Sequence, residues 1–214
     1  NSMFSIKRGG IVGAGGTIDY VFARVLARQI YDNLQKISLS TSIKQNVFVY
    51  RFMTMIQHLS NVDQDQIMLI IETLKKNYND EKRRTANAFD CFNQKNAKNI
   101  IAALLSDEEP NYAEIKTKTT EWKEVSKWHW NDTFYPIKDE DKTEIDWVCK
   151  TIAKNICDSV FKETPEALTK QIDYIIFTGR SFLFTPLRSA FLAEIEQYRG
   201  VYAVNYSDPL PYVK

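Results

Sequence analysis

Residues 9–30 read GGIVGAGGTIDYVFARVLARQI, and this stretch decides which fold the sequence predicts. Five of the chain's 7 glycines lie in its first eight residues, and apolar residues then recur every three or four positions from Ile18 to Ile30. The alternating residues 3–8 predict a short strand before the glycines. The later spacing predicts an amphipathic helix with Thr17 as its N-cap. The sequence therefore predicts a strand, a glycine turn and a helix.

A glycine turn of this kind is a place where phosphate groups bind, because free backbone N–H groups and the helix dipole meet there. Neither standard nucleotide motif is complete. Gly10 and Gly15 have the spacing of a P-loop, but the lysine of that motif is missing. Gly13 and Gly15 fit a dinucleotide fingerprint in which Ile18 replaces the third glycine. The glycines then either contact a phosphate or only position the helix, and both readings stay open.

Helical spacing continues along much of the remaining chain. It predicts helices within residues 43–78, 85–105, 143–161 and 186–195. The acidic residues 139–141 are expected to stabilise the amino terminus of the third of these regions through the helix dipole. Pro186 suits the first turn of the last one.

Strand patterns occupy three other places. Residues 112–137 alternate and carry many aromatic and β-branched side chains, which predicts a small antiparallel sheet. The continuous apolar run 174–178 is typical of a strand buried on both faces, and Gly179 follows it as a turn. Residues 201–204 predict a final short strand.

Two separated motifs give the chain a resemblance to a known family. Gly15-Gly16-Thr17-Ile18-Asp19 opens a long helix, and residues 172–181, IDYIIFTGRS, precede the helix that begins near Pro186. Residues 205–209, NYSDP, follow after a short strand. In this order the motifs resemble the second lobe of the actin-like ATPase superfamily, and within it the seventy-kilodalton heat-shock chaperones.

The resemblance implies an α/β fold of the ribonuclease H-like type, in which helices flank a central sheet. Residues 1–34 and 138–214 would form the core of the lobe. Residues 35–137 would form an inserted, mostly helical subdomain that carries the small antiparallel sheet.

The resemblance also implies an ATP-binding lobe that holds ATP or ADP with Mg in the full-length protein. The residues implied as nucleotide-binding are Gly179, Arg180, Ser181, Gly15, Gly16, Lys95 and Lys98. The first lobe and the phosphate hairpin would lie outside this sequence. The chain alone is therefore not expected to hydrolyse ATP, whether or not the parent protein is an ATPase.

A second hypothesis is a degenerate member that acts as a protein-interaction or structural module. Arg180 favours it, because the family has a glycine there, and so does the absence of the arginine that packs on adenine. The partner surface would involve a set of tryptophans around the predicted small sheet, which either bind a protein or complete a thin core. These are Trp122, Trp128, Trp130 and Trp147.

The composition limits which classes of binding partner and which cellular compartment are expected. The chain has 28 basic and 27 acidic residues, so it lacks the charge excess of a general nucleic-acid binder. No apolar run approaches the roughly 20 residues of a membrane span, so no membrane partner is expected. The 3 cysteines and 2 histidines show no zinc-site spacing and no complete disulfide set, which predicts a reducing cytoplasm. His58 and His129 are predicted to be structural or surface residues.

Overall fold

A computed structural model describes residues 14–36, 42–59, 61–78, 85–86, 103–113, 135–162 and 180–199. The elements in these ranges are, in chain order, α1 (Ala14–Lys36), α2 (Gln45–His58), α3 (Asn61–Asn77), β1 (Thr85–Ala86), β2 (Tyr135–Pro136), α4 (Asp139–Phe161), a 3-10 helix (Arg180–Leu183) and α5 (Thr185–Arg199).

Several helices lie where the apolar spacing places them. Helices α2 and α3 fall within residues 43–78. Helix α4 has acidic residues at all of positions 139–141 in its first turn, where they interact favourably with the helix dipole. Helix α5 begins one residue before Pro186, whose missing N–H costs nothing in a first turn. These helix predictions are confirmed.

The start of α1 differs from the prediction. Gly15 and Gly16 lie in its first turn rather than in a turn before the helix, and Thr17 lies inside the helix rather than at its N-cap. Glycine costs about 1 kcal/mol relative to alanine in a helix. The buried apolar stripe from Ile18 to Ile30 contributes more than that cost, so packing decides the conformation of the glycines.

The predicted α/β fold with a central sheet is wrong, because the described residues are mainly helical. Within them, β structure is limited to one short antiparallel pair. The strands expected at 3–8, 174–178 and 201–204 lie outside the described residues. The Gly15-Gly16 pair forms helix, so the strand–turn–helix geometry behind the actin-like resemblance is not formed there. The predictions of an actin-like ATPase lobe, of a chaperone-like protein and of an ATP-binding fold depended on that α/β fold, so they are wrong as well.

The small sheet also differs from the prediction. Tyr135 lies opposite Ala86, and Pro136 lies opposite Thr85, so β2 pairs with a segment that was expected to begin a helix. Tyr112 lies in a helical turn rather than in a strand. The intervening residues 114–134 are outside the described ranges.

The chain divides into two compact units, residues 1–18 with 139–214 and residues 19–138. The domain boundaries that the sequence suggested, after residues 34 and 137, stay a prediction. In the first unit, α4 and α5 pack through a buried cluster that consists of Ala153, Cys157, Phe161, Phe191 and Ile195.

The second unit has its core between α1, α2 and α3. The ring of Tyr31 in α1 lies 5.5 Å from that of Phe48 in α2, and the ring of Phe22 lies 5.8 Å from that of Tyr78, which follows α3. The largest fully buried side chains of this unit are Phe22, Leu26, Ile30, Phe48, Phe52, Met55, Ile67, Ile71 and Leu74. The apolar periodicity of the sequence thus identifies these core faces.

Candidate functional site

The residues predicted to bind nucleotide are only partly within the described ranges. A Cβ atom built on Gly15 would lie 3.1 Å from Oγ of Ser181, so the structure brings these two residues together. Gly16 is exposed and has no other atom near its Cβ position, and Arg180 begins the 3-10 helix. Gly179, Lys95 and Lys98 are outside the described residues. The proximity of Gly15 and Ser181 is a close approach of α1 to the 3-10 helix.

The cysteines of α4 are buried thiols. Burial raises the pKa of Cys149 and of Cys157 to about 12, and both are free. Thiols with such raised pKa values are poor nucleophiles at neutral pH. Among the residues that the structure describes, no three His, Cys, Asp or Glu side chains are grouped as a metal ion would require.

His58 is exposed and belongs to a polar network in the second unit. Its ring stacks on that of Tyr112 with centroids 5.4 Å apart. Tyr112 donates a hydrogen bond of 2.8 Å to Glu109, and burial together with this bond raises the pKa of Tyr112 to about 12. The prediction of a structural or surface role for His58 fits these contacts, and His129 is outside the described residues.

Arg51 anchors this network from α2. Its side chain is buried, and Nη1 donates to the carbonyl oxygens of Leu104 at 3.2 Å and Ser106 at 2.6 Å. Its Nε lies 3.7 Å from Glu109 Oε2. The two bonds from Nη1 and the nearby Glu109 carboxylate hold residues 104–109 against α2, so the cluster serves the stability of the unit.

A groove between α4 and α5 is the most distinctive feature of the first unit. It has a volume of about 360 Å³. Each helix contributes residues with the spacing i, i+3, i+4, i+7, which places them on one helical face. We call this feature the Trp147 groove; its lining residues are Trp147, Lys150, Thr151 and Lys154 of α4 and Ala190, Ala193, Glu194 and Gln197 of α5.

Trp147 lies at the edge of this groove with 65% of its surface exposed. Tryptophan is usually among the more buried side chains, so this exposure is unusual for its type. The small side chains of Ala190 and Ala193 leave open space opposite the indole. An apolar side chain from another molecule could enter there and cover the ring.

The groove is held in shape by the core cluster beneath it. Near the carboxyl-terminal ends of both helices, Tyr198 donates a hydrogen bond of 2.6 Å to Asp158, and its ring centroid lies 5.5 Å from that of Phe161. These contacts fix the two helix ends side by side. The groove therefore has rigid walls whose side chains can recognise a partner.

The two walls of the groove differ in charge. Lys150 and Lys154 lie exposed one helical turn apart on α4, and neither pairs with a carboxylate in the part of the chain that the structure describes. On α5, Glu194 accepts a hydrogen bond of 3.2 Å from Gln197. The α4 wall is thus basic, and the α5 wall carries a carboxylate that is already bonded.

Sequence reasoning included Trp147 in an aromatic set around a small sheet, but it lies on α4. Trp122, Trp128 and Trp130 are outside the described residues. One feature of the sequence could have indicated that Trp147 is exposed: it lies on the polar side of an amphipathic helix, away from the apolar stripe of Ile145, Val148 and Ile152. The facing wall comes from a segment about 40 residues later, and helical periodicity gives no information on that pairing.

Comparisons with known proteins give no family for the chain. No protein-family model, no curated protein and no solved structure matches it. None of the described helices is long and apolar enough to cross a membrane.

Proposed function

We propose that the chain is a protein-interaction module that binds an α-helical segment of a partner protein in the Trp147 groove. The observation that carries this proposal is the exposed indole of Trp147 beside a groove whose α5 wall carries the small side chains of Ala190 and Ala193. Exposed tryptophans in such positions are frequent anchors of protein interfaces, because covering them removes a large apolar area from water.

The shape of the groove supports a helix as the occupant. Two helices present parallel sets of side chains, and a third helix can pack into the depression between them as ridges pack into grooves. The two thiols of α4, Cys149 and Cys157, have raised pKa values and do not line the groove, so they are poor candidates for a nucleophile there. These features support binding rather than catalysis by this surface.

Charge balance and cysteine chemistry support a proposed compartment and class of partner. We place the protein in the cytoplasm, which the two free, buried thiols of α4 support. The near balance of 28 basic and 27 acidic residues supports a protein partner over a nucleic acid. The nucleotide, the Mg ion and the first lobe were expected only from the resemblance to the actin-like ATPase fold, and they are not part of this proposal.

The test is a selection of helical peptides from a displayed library on the immobilised chain. Peptides that use the groove should bind the variant Trp147→Ala at least about 30-fold more weakly, the loss typical of a tryptophan hot spot. The variant Ala193→Trp fills the groove from its exposed side and should also prevent binding.

Tyr50 supplies a matched control. It is 63% exposed on α2, and its carbonyl accepts a bond from Thr54 just as that of Trp147 accepts one from Thr151. The variant Tyr50→Ala should bind the selected peptides like the wild type. The proposal is wrong if no peptide is enriched, or if the enriched peptides bind Trp147→Ala as tightly as the wild type.

A further inference from the structure

The charge of the α4 wall identifies the kind of helix that fits the groove. Lys150 and Lys154 are exposed and leave their ammonium groups without a carboxylate among the described residues. Their i, i+4 spacing places the two Cβ atoms about 5–6 Å apart along α4. A helix lying along α4 with two carboxylates at the same spacing could pair with both lysines at once.

The charge on the α5 wall determines which side of the partner helix faces α4. The carboxylate of Glu194 lies on that wall, where it accepts a hydrogen bond from Gln197, so like-charge repulsion disfavours a second carboxylate there. An acidic edge is therefore favoured only on the α4 side. Between the two edges, an apolar side chain can occupy the space between Trp147 and Ala190.

We infer that the partner segment is an acidic amphipathic helix, whose carboxylates pair with Lys150 and Lys154 while an apolar side chain packs against Trp147. This inference rests on the proposed function, since it names the chemistry of the helix that would occupy the same groove. The apolar contact supplies affinity, and the lysines select the charge and orientation of the helix.

An anionic membrane is the alternative surface for a tryptophan beside lysines, and the groove argues against it. Recognition of anionic lipid headgroups typically uses clusters of about four to eight basic residues. The groove has two lysines, and Glu194 stands across from them. A groove with Ala190 and Ala193 on one wall suits a side chain that projects from a narrow helix better than it suits a flat bilayer.

The experiment compares three synthetic, fluorescein-labelled peptides of about 18 residues, long enough to form a helix. All share one apolar stripe, and the flanking positions carry Glu, Gln or Lys. Fluorescence anisotropy with the full chain should show the Glu peptide binding most tightly and the Lys peptide most weakly. Added salt should weaken binding of the Glu peptide, because it screens exposed charge pairs.

Charge reversal tests the named lysines directly. The double variant Lys150→Glu/Lys154→Glu should bind the Glu peptide about tenfold more weakly and the Lys peptide more tightly than the wild type. The matched control is Lys44→Glu/Lys76→Glu, which reverses two exposed lysines outside the groove with the same change in net charge. The control should keep the wild-type order of the three peptides.

The outcomes separate this inference from the function on which it rests. If the three peptides bind equally and Trp147→Ala removes all binding, the interaction function stands and the acidic partner is wrong. If the Glu peptide binds both double variants equally, the role of Lys150 and Lys154 is wrong. If vesicles of phosphatidylserine and phosphatidylcholine bind through Trp147 while no peptide does, both proposals are overturned.

Discussion

Gly15 and Gly16 provide the sharpest test of the fold, because a turn and a helix give opposite results for them. In a turn that needs glycine, replacement by alanine is destabilising. In the first turn of α1, the variant Gly16→Ala should instead stabilise the chain, because Gly16 is exposed and a Cβ atom there meets no other atom within 4 Å. Helix propensity sets the expected gain at about 0.5–1 kcal/mol.

Gly15 should respond differently, because its Cβ would lie 3.1 Å from Oγ of Ser181. That distance is tight, so the crowding should offset the propensity gain in Gly15→Ala. Replacing Ser181 by alanine removes the Oγ atom and should restore the gain in the double variant. The positive coupling between the two substitutions is then a direct measure of the contact.

Urea unfolding followed by circular dichroism at the helical band would measure these differences. A gain of about 1 kcal/mol corresponds to a rise in Tm of about 2–4 °C for a chain of this size. The helical assignment of these glycines is refuted if Gly16→Ala lowers the free energy of unfolding by about 1 kcal/mol or more.

Three further predictions concern side chains that do not line the groove. Arg51→Met should lower the free energy of unfolding by about 2–3 kcal/mol, because two carbonyl oxygens lose their donor. Glu109→Gln should lower it by less than about 1 kcal/mol, because Glu109 is 62% exposed. Equal losses of stability in the two variants would contradict this prediction. The hydrogen bond to Asp158 raises the pKa of Tyr198 from 10.0 to about 12, so the bond stabilises the chain fully below pH 10 and its contribution is lost as the pH rises towards 12. In Tyr198→Phe, Tm should therefore fall less steeply over that pH range. An unchanged slope would contradict the hydrogen bond. In the variant Cys91→Ser, Cys149 and Cys157 should not react with a disulfide reagent at pH 8 until urea unfolds the chain. Fast reaction of the native protein would contradict the burial of these two thiols.

The helices of this chain could be predicted because their signal is local. Ile18, Phe22 and Ile30 repeat with the helical period, and the structure buries them on one face of α1. The glycines before them could not be assigned in the same way, because glycine favours turns locally while the packing of the following stripe draws it into the helix. The motif Gly15-Gly16-Thr17 matches the sequence of the family's turn, but in this chain it is part of a helix.

The candidate site was harder to predict, because it depends on two distant segments. Sequence reasoning pointed to tryptophans as a partner surface, but the wall that faces Trp147 is formed by Ala190 and Ala193. Alanines on a helix have no individual signal for binding, and they form a groove only when α5 packs against α4. The pairing of Gly15 with Ser181 is similar, since only the folded chain shows that they meet.

The most direct test of the account is fluorine NMR of the full chain labelled with 5-fluorotryptophan. The sequence has 4 tryptophans, and Trp147→Phe assigns the signal of the one at the groove. The acidic amphipathic peptide should shift the Trp147 signal in a saturable manner, and Lys150→Glu/Lys154→Glu should need about tenfold more peptide to reach half of that shift. A Trp147 signal that stays unmoved at saturating peptide, or that reaches half of its shift at the same peptide concentration in the charge-reversed variant, would contradict the proposed partner and its site.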